Sequence, residues 1–101
     1  MAKQSSIEKN ERRALLNKKY RSKRTALKDI VMDKTKTFEE RFTATVTLAE
    51  LPRNSAQCRY RKRCKLTGRA RGNYAKFQLS RIMFRSMASE GLIPGITKSS
   101  W

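Results

Sequence analysis

The sequence predicts a mainly α-helical chain with extended loops and little independent core. Three observations carry that reading. Residues 3–32 contain no glycine or proline and are rich in good helix formers. The hydrophobic share is 38% and the charged share 33%, against about 45–50% and about 25% in ordinary globular domains. The net charge is +17 on 101 residues, and self-repulsion of that order opposes compaction. Such a chain takes much of its order from a partner that carries the opposite charge.

The elements follow in order. Residues 3–32 form a long basic helix whose apolar contacts come from Ile7, Leu15, Leu16, Tyr20, Leu27, Ile30 and Val31. That stripe is narrow and irregular, and lysines and arginines crowd the remaining positions. The segment reads either as a solvated amphipathic helix or as a basic helix lying along a phosphate backbone. A turn is expected at Lys34–Thr37. Thr37-Phe38-Glu39-Glu40 then has the form of a capping box, a hydroxyl followed three residues later by a carboxylate. Phe38, Phe42, Val46 and Ala49 recur at helical spacing and are expected to pack on the first helix. Pro52 ends this second, short helix by Leu51.

Pro52–Gly72 reads as an irregular, basic, extended loop, with a short strand expected at Tyr74–Phe77. Ser80 is a candidate N-cap for a third helix over Arg81–Glu90, stopped by Gly91. Ile82, Phe84, Met87 and Ala88 supply its expected buried side. The chain thus divides into a helical N-terminal extension, 1–51, and a basic loop with a small C-terminal helical module, 52–101.

Charge is distributed unevenly. From Leu51 to Ser89 there is no acidic residue, yet there are eleven arginines and lysines. Arginine dominates, and its guanidinium fork matches phosphate oxygens and stacks flat on bases. Tyr60, Tyr74 and Phe77 are interleaved. Basic residues among aromatics, with no acids, read as a nucleic-acid surface. The candidate binding residues are Arg53, Arg59, Arg61, Lys62, Arg63, Lys65, Arg69, Arg71, Lys76, Arg81, Arg85, Lys98 and Trp101, centred on Arg59–Arg71. Gly68 and Gly72 fit a positive φ, a close approach to phosphate or, equally, plain turns. Tyr60 and Tyr74 are suited to stacking on bases, although for Tyr74 and Phe77 a small local core is the preferred reading. Trp101 is expected to pack on RNA or on a neighbouring protein.

Other functions lack their chemistry. There is no histidine, the commonest general base and metal ligand. No P-loop spacing surrounds Gly68 or Gly72, and no nucleophile stands beside a base, so no enzyme, cofactor or small-molecule substrate is expected. Cys58 and Cys64 lie six apart with no second pair, which does not make a zinc site. No stretch approaches the roughly 20 apolar residues that span a bilayer. The N-terminus lacks the apolar core of a secretory signal, and Glu8 and Glu11 argue against a transit peptide. Net charge does not separate RNA from DNA, but no helix-turn-helix or zinc-finger spacing is present.

Several strings narrow the partner. Leu51-Pro52-Arg53-Asn54-Ser55 is followed by Arg63-Cys64, Thr67-Gly68-Arg69, Leu79-Ser80-Arg81-Ile82, Gly91-Leu92-Ile93-Pro94-Gly95 and a closing Lys98-Ser99-Ser100-Trp101. In this order they make nearly the whole chain resemble the family of the fourteenth protein of the small ribosomal subunit, in its bacterial type. The family has a short zinc-bearing form, whose four cysteines would align with Cys64, Thr67, Ser80 and Met83. Only Cys64 is a cysteine here, so the chain resembles the long, zinc-free form. The resemblance implies small-subunit ribosomal RNA as partner, in the head of the subunit. It also implies contact with the third and tenth small-subunit proteins, and support of assembly and of RNA conformation near the decoding (A) site. The implied place is a cytoplasmic ribosome, or that of an organelle with its own genome.

Overall fold

The computed structural model describes residues Ala2–Ser100. Three helices occur, α1 (Gln4–Met32), α2 (Phe38–Glu50) and α3 (Arg81–Ser89), with a minimal hairpin of β1 (Asn73–Tyr74) and β2 (Leu79–Ser80). Single 3-10 turns lie at Arg53–Ser55 and Gln57–Arg59. The chain divides into two compact units, one of residues 8–60 and one of residues 1–7 with 61–101. Among the described residues no helix is long and apolar enough to cross a membrane.

In the unit of residues 8–60, the covered face of α1 runs through Asn10, Arg13, Asn17, Tyr20, Arg24, Leu27 and Val31. Their spacing alternates three and four, the helical seam period. Half of that seam is polar because what it meets is backbone. Arg24 donates from Nε to Ser55 Oγ at 2.8 Å and from Nη2 to the Pro52 carbonyl at 3.1 Å. Arg13 reaches the Arg59 carbonyl at 3.4 Å. Leu15, expected to make an apolar contact, is 69% exposed.

α1 ends where the Asp33 carboxylate accepts the Thr35 N–H at 2.9 Å and its hydroxyl at 2.7 Å. Those two bonds, the hydroxyl's first, hold the Asp33 carboxyl below its ordinary range. Arg41 of α2 then donates to the Val31 carbonyl at 3.0 Å, which satisfies one of the orphan acceptors at a helix end.

α2 starts at the expected N-cap, with the hydroxyl half of the capping box made: Thr37 Oγ accepts the Glu40 N–H at 3.4 Å. It stops at Leu51, which is extended at φ −64° and ψ 150° ahead of Pro52. Its covered face corrects the expectation. Arg41, Ala44, Thr47, Leu48 and Leu51 turn inward, whereas Phe38 is 79%, Phe42 60% and Val46 41% exposed. Phe38 and Phe42 pack on each other, ring centroids 6.2 Å apart. The inward set lies one helical face away from the aromatic stripe. The small Ala44, 5% exposed, is the most covered residue of the helix.

The other unit is built on the hairpin. Asn73 pairs with Ser80 and Tyr74 with Leu79 in antiparallel register. The expected strand over Tyr74–Phe77 keeps only Tyr74, since the chain must reverse over residues 75–78 to bring Leu79 alongside. Gln78 takes φ 55° in that reversal. α3 begins with Ser80 Oγ accepting the Met83 N–H at 3.3 Å. It ends in paired bonds, Gly91 N–H to Ala88 O at 3.2 Å and Leu92 N–H to Met87 O at 3.0 Å, with Gly91 at φ 74°. This is the glycine-terminated helix end described for Schellman motifs. Its covered face is Met83, Phe84, Met87 and Ala88; Ile82, expected there, points to solvent.

Candidate nucleic-acid interface

The basic loop is organised around one sulfur. Cys64 is 3% exposed. Its N–H donates to Arg69 O at 2.9 Å, and its carbonyl accepts the Gly68 N–H at 2.9 Å. Burial pushes the Cys64 thiol up, but the nearby Thr67 hydroxyl, which has no hydrogen-bond partner of its own, and the N–H groups of Thr67, Ser80 and Leu66 together draw it down, from 9.0 to about 6. Met83 joins the turn through its N–H on the Ser80 hydroxyl at 3.3 Å. The turn itself is closed by the backbone bonds of Cys64 to Arg69 and Gly68. Because folding lowers this pKa, the stabilisation is complete above the unfolded value and is lost as pH falls through about 6. In the Cys58→Ser chain, the thiolate absorbance near 240 nm is expected to titrate with a midpoint of about 6. A midpoint above 8 would refute the hydrogen-bonded thiolate.

Around that turn the basic side chains separate into two groups. Arg61 Nε donates to Ala70 O at 3.0 Å, Arg63 Nη1 to Gly68 O at 2.9 Å and Arg69 Nε to Arg71 O at 3.0 Å. These guanidiniums brace the loop's own carbonyls. Arg63 is half-buried, with its Nε buried and unpaired. Lys62, Lys65 and Arg71 project from the braced loop and are exposed. Asn73 helps to fix it by donating to Arg69 O at 2.7 Å and Lys62 O at 3.2 Å. Gly68 has φ 72°, and an added β-carbon there would stand 2.5 Å from Ile7 Cδ1.

The remaining candidates are dispersed. Arg81, Arg85 and Lys98 line one cleft beside α3. Lys76 Nζ stands 5.7 Å from the Phe77 ring centroid. Arg53 and Arg59 belong to the other unit. Trp101 lies outside the described residues. The candidate set left out the helix α1, where Arg12, Lys18, Lys19, Lys23 and Lys28 are exposed. The signal was the excess of cations over acids along residues 3–32. Tyr74 and Phe77 do form a small aromatic cluster with Phe84, centroids 4.9 and 4.8 Å from it, although Tyr74 stays half exposed.

Residues 47–100 match the family model described as ribosomal protein S14p/S29e. The chain is 59% identical, over the full length of both, to the small ribosomal subunit protein uS14 of Nitrobacter winogradskyi. It is 58% identical to that of a Bradyrhizobium strain and 55% to that of Gluconobacter oxydans, again end to end. The chain belongs to the uS14 family of bacterial type and is a structural, non-enzymatic constituent of the small ribosomal subunit.

Proposed function

We propose that the chain binds small-subunit ribosomal RNA in the head of the subunit, where it supports assembly and the conformation of RNA near the decoding site. The observation that carries the reading is the braced loop. Arg61, Arg63 and Arg69 hold it in shape, and Lys62, Lys65 and Arg71 project from it with no carboxylate in the segment. Phosphate contacts of this kind position the protein, while exposed aromatic faces such as Tyr60 and Tyr74 are suited to unstacked bases. Arg53, Arg59, Lys76, Arg81, Arg85, Lys98 and Trp101 complete the contact set, and the exposed cations of α1 extend it.

Neighbouring head proteins, the third and tenth of the small subunit, are the proposed protein partners. The exposed stripe of Phe38, Phe42 and Val46 supports a protein contact rather than an RNA contact, because Glu39, Glu40 and Glu50 share its helix. The place of action is the cytoplasmic ribosome.

Affinity for the ribosomal RNA is expected to fall with salt at a log–log slope of roughly −4 to −5, the value for about six neutralised phosphates. The tagged chain should co-sediment with small subunits after a high-salt wash. A slope near zero, or equal retention on duplex DNA of arbitrary sequence, would sink the reading.

A further inference from the structure

The aromatic cluster and three of the candidate cations meet in one place. A cleft of about 970 Å3 lies between α3 and residues 96–98. Tyr74, Phe84 and Ile96 give it an apolar wall, and Arg81, Arg85 and Lys98 give it positive charge. Its one carboxylate, Glu90, accepts the Ser86 hydroxyl at 3.3 Å.

The wall is built before any ligand arrives. Phe84 is held by two rings, Tyr74 at 4.9 Å and 59° and Phe77 at 4.8 Å and 44°, tilted arrangements that aromatic pairs favour. Of these three, Tyr74 and Phe84 line the cleft, and Tyr74 keeps 49% of its surface open. Arg81 is placed as firmly. Its N–H donates to Gly72 O at 2.8 Å, and its side-chain stem lies against Gly72, where an added β-carbon would meet Cδ at 3.6 Å. Arg85 follows one helical turn later.

We infer that this cleft holds a single unpaired nucleotide of the bound RNA, its base against Tyr74 and Phe84 and its phosphates met by Arg81, Arg85 and Lys98. The inference rests on the RNA-binding reading above and names where an unstacked base enters. The cleft lies within the range of small-ligand pockets, about 300–1,000 Å3, so a base and its ribose fit, whereas a duplex keeps its bases stacked inside. Three cations against one carboxylate favour an anion over a peptide. Ser89 and Thr97 offer hydroxyls to a base edge.

The test uses the full chain assembled with small-subunit ribosomal RNA containing 4-thiouridine. Irradiation and mass spectrometry should find the peptide carrying Tyr74 or Phe84 joined to one nucleotide. Tyr74→Ile removes the π face and keeps an apolar side chain. It should weaken RNA binding about 5- to 150-fold, the range of one lost base stack, and leave the salt slope unchanged. Tyr74→Phe should bind as the unaltered chain does. Arg85→Gln should make the slope shallower by about 1. The proposal is overturned if Tyr74→Ile binds as the unaltered chain and no cross-link maps to this peptide, or if the peptide joins a neighbouring protein instead. If the unaltered chain binds no ribosomal RNA, the RNA-binding reading itself falls, which is a separable result.

Discussion

Replacing Lys62, Lys65 and Arg71 together by glutamate is expected to keep the chain out of small subunits while leaving its fold intact. All three side chains are exposed and make none of the bonds that brace the loop. Each phosphate contact contributes roughly 0.7–0.9 to the salt slope, so losing three makes it shallower by about 2–3. Between ~1 M and ~0.15 M salt that difference amounts to a loss on the order of a hundredfold in affinity, before any repulsion from the new carboxylates. Gradient sedimentation of reconstituted subunits and a salt titration of RNA binding would measure both effects. Normal incorporation with an unchanged slope would remove the loop from the interface. Arg63→Ala should do the reverse, loosening the loop while barely changing the slope, because its guanidinium is spent on Gly68.

Gly68→Ala is expected to be among the most destabilising single substitutions in the chain, by about 2–5 kcal/mol. Two costs combine there. The φ of 72° lies in the left-handed region, at about 1–2 kcal/mol for a side chain. The new methyl would also press within 2.5 Å of Ile7 Cδ1 and 2.9 Å of Cγ1, and overpacking of this kind costs about 1–3 kcal/mol. Gly91→Ala separates the two, since its φ is 74° and nothing lies within 4 Å; it should show the backbone cost alone. Ile7→Ala combined with Gly68→Ala should recover the steric part, which a double-mutant cycle on denaturation midpoints would reveal. Equal effects of Gly68→Ala and Gly91→Ala would show that Ile7 does not pack on the glycine.

The helices were legible because their ends are written in local chemistry. The absence of breakers over residues 3–32, Thr37 with Glu40, Pro52, Ser80 and Gly91 each act within a few residues of themselves. The faces were not legible to the same degree. Hydrophobic period pointed to Phe38, Phe42 and Val46, yet α2 turns Ala44 and Leu48 inward. On α1 the covered seam contains Arg13 and Arg24, which no apolar pattern could mark, because their partners are the Pro52 and Arg59 carbonyls and the Ser55 hydroxyl, distant in sequence. Among the candidate contacts, composition gave every arginine of the loop the same standing. Only the hydrogen bonds separate Arg61, Arg63 and Arg69, which hold the loop, from Lys62, Lys65 and Arg71, which project from it. Tyr74 was read as local core; it joins Phe84, but its open face leads to the cleft beside α3.

The polar seam of α1 has a thermal consequence. Heat capacity rises on unfolding mainly because hydrocarbon meets water, by about 0.45 cal/mol/K for each Å2 of apolar surface. Where Arg13 and Arg24 grip the Pro52 and Arg59 carbonyls, little hydrocarbon is released when the two segments part. The free energy of that contact therefore curves only slightly with temperature. It neither fades in the cold, as an oily seam would, nor depends on warmth to form. For a component that joins a ribonucleoprotein whenever the cell grows, this is a joint whose strength stays nearly constant across the growth range.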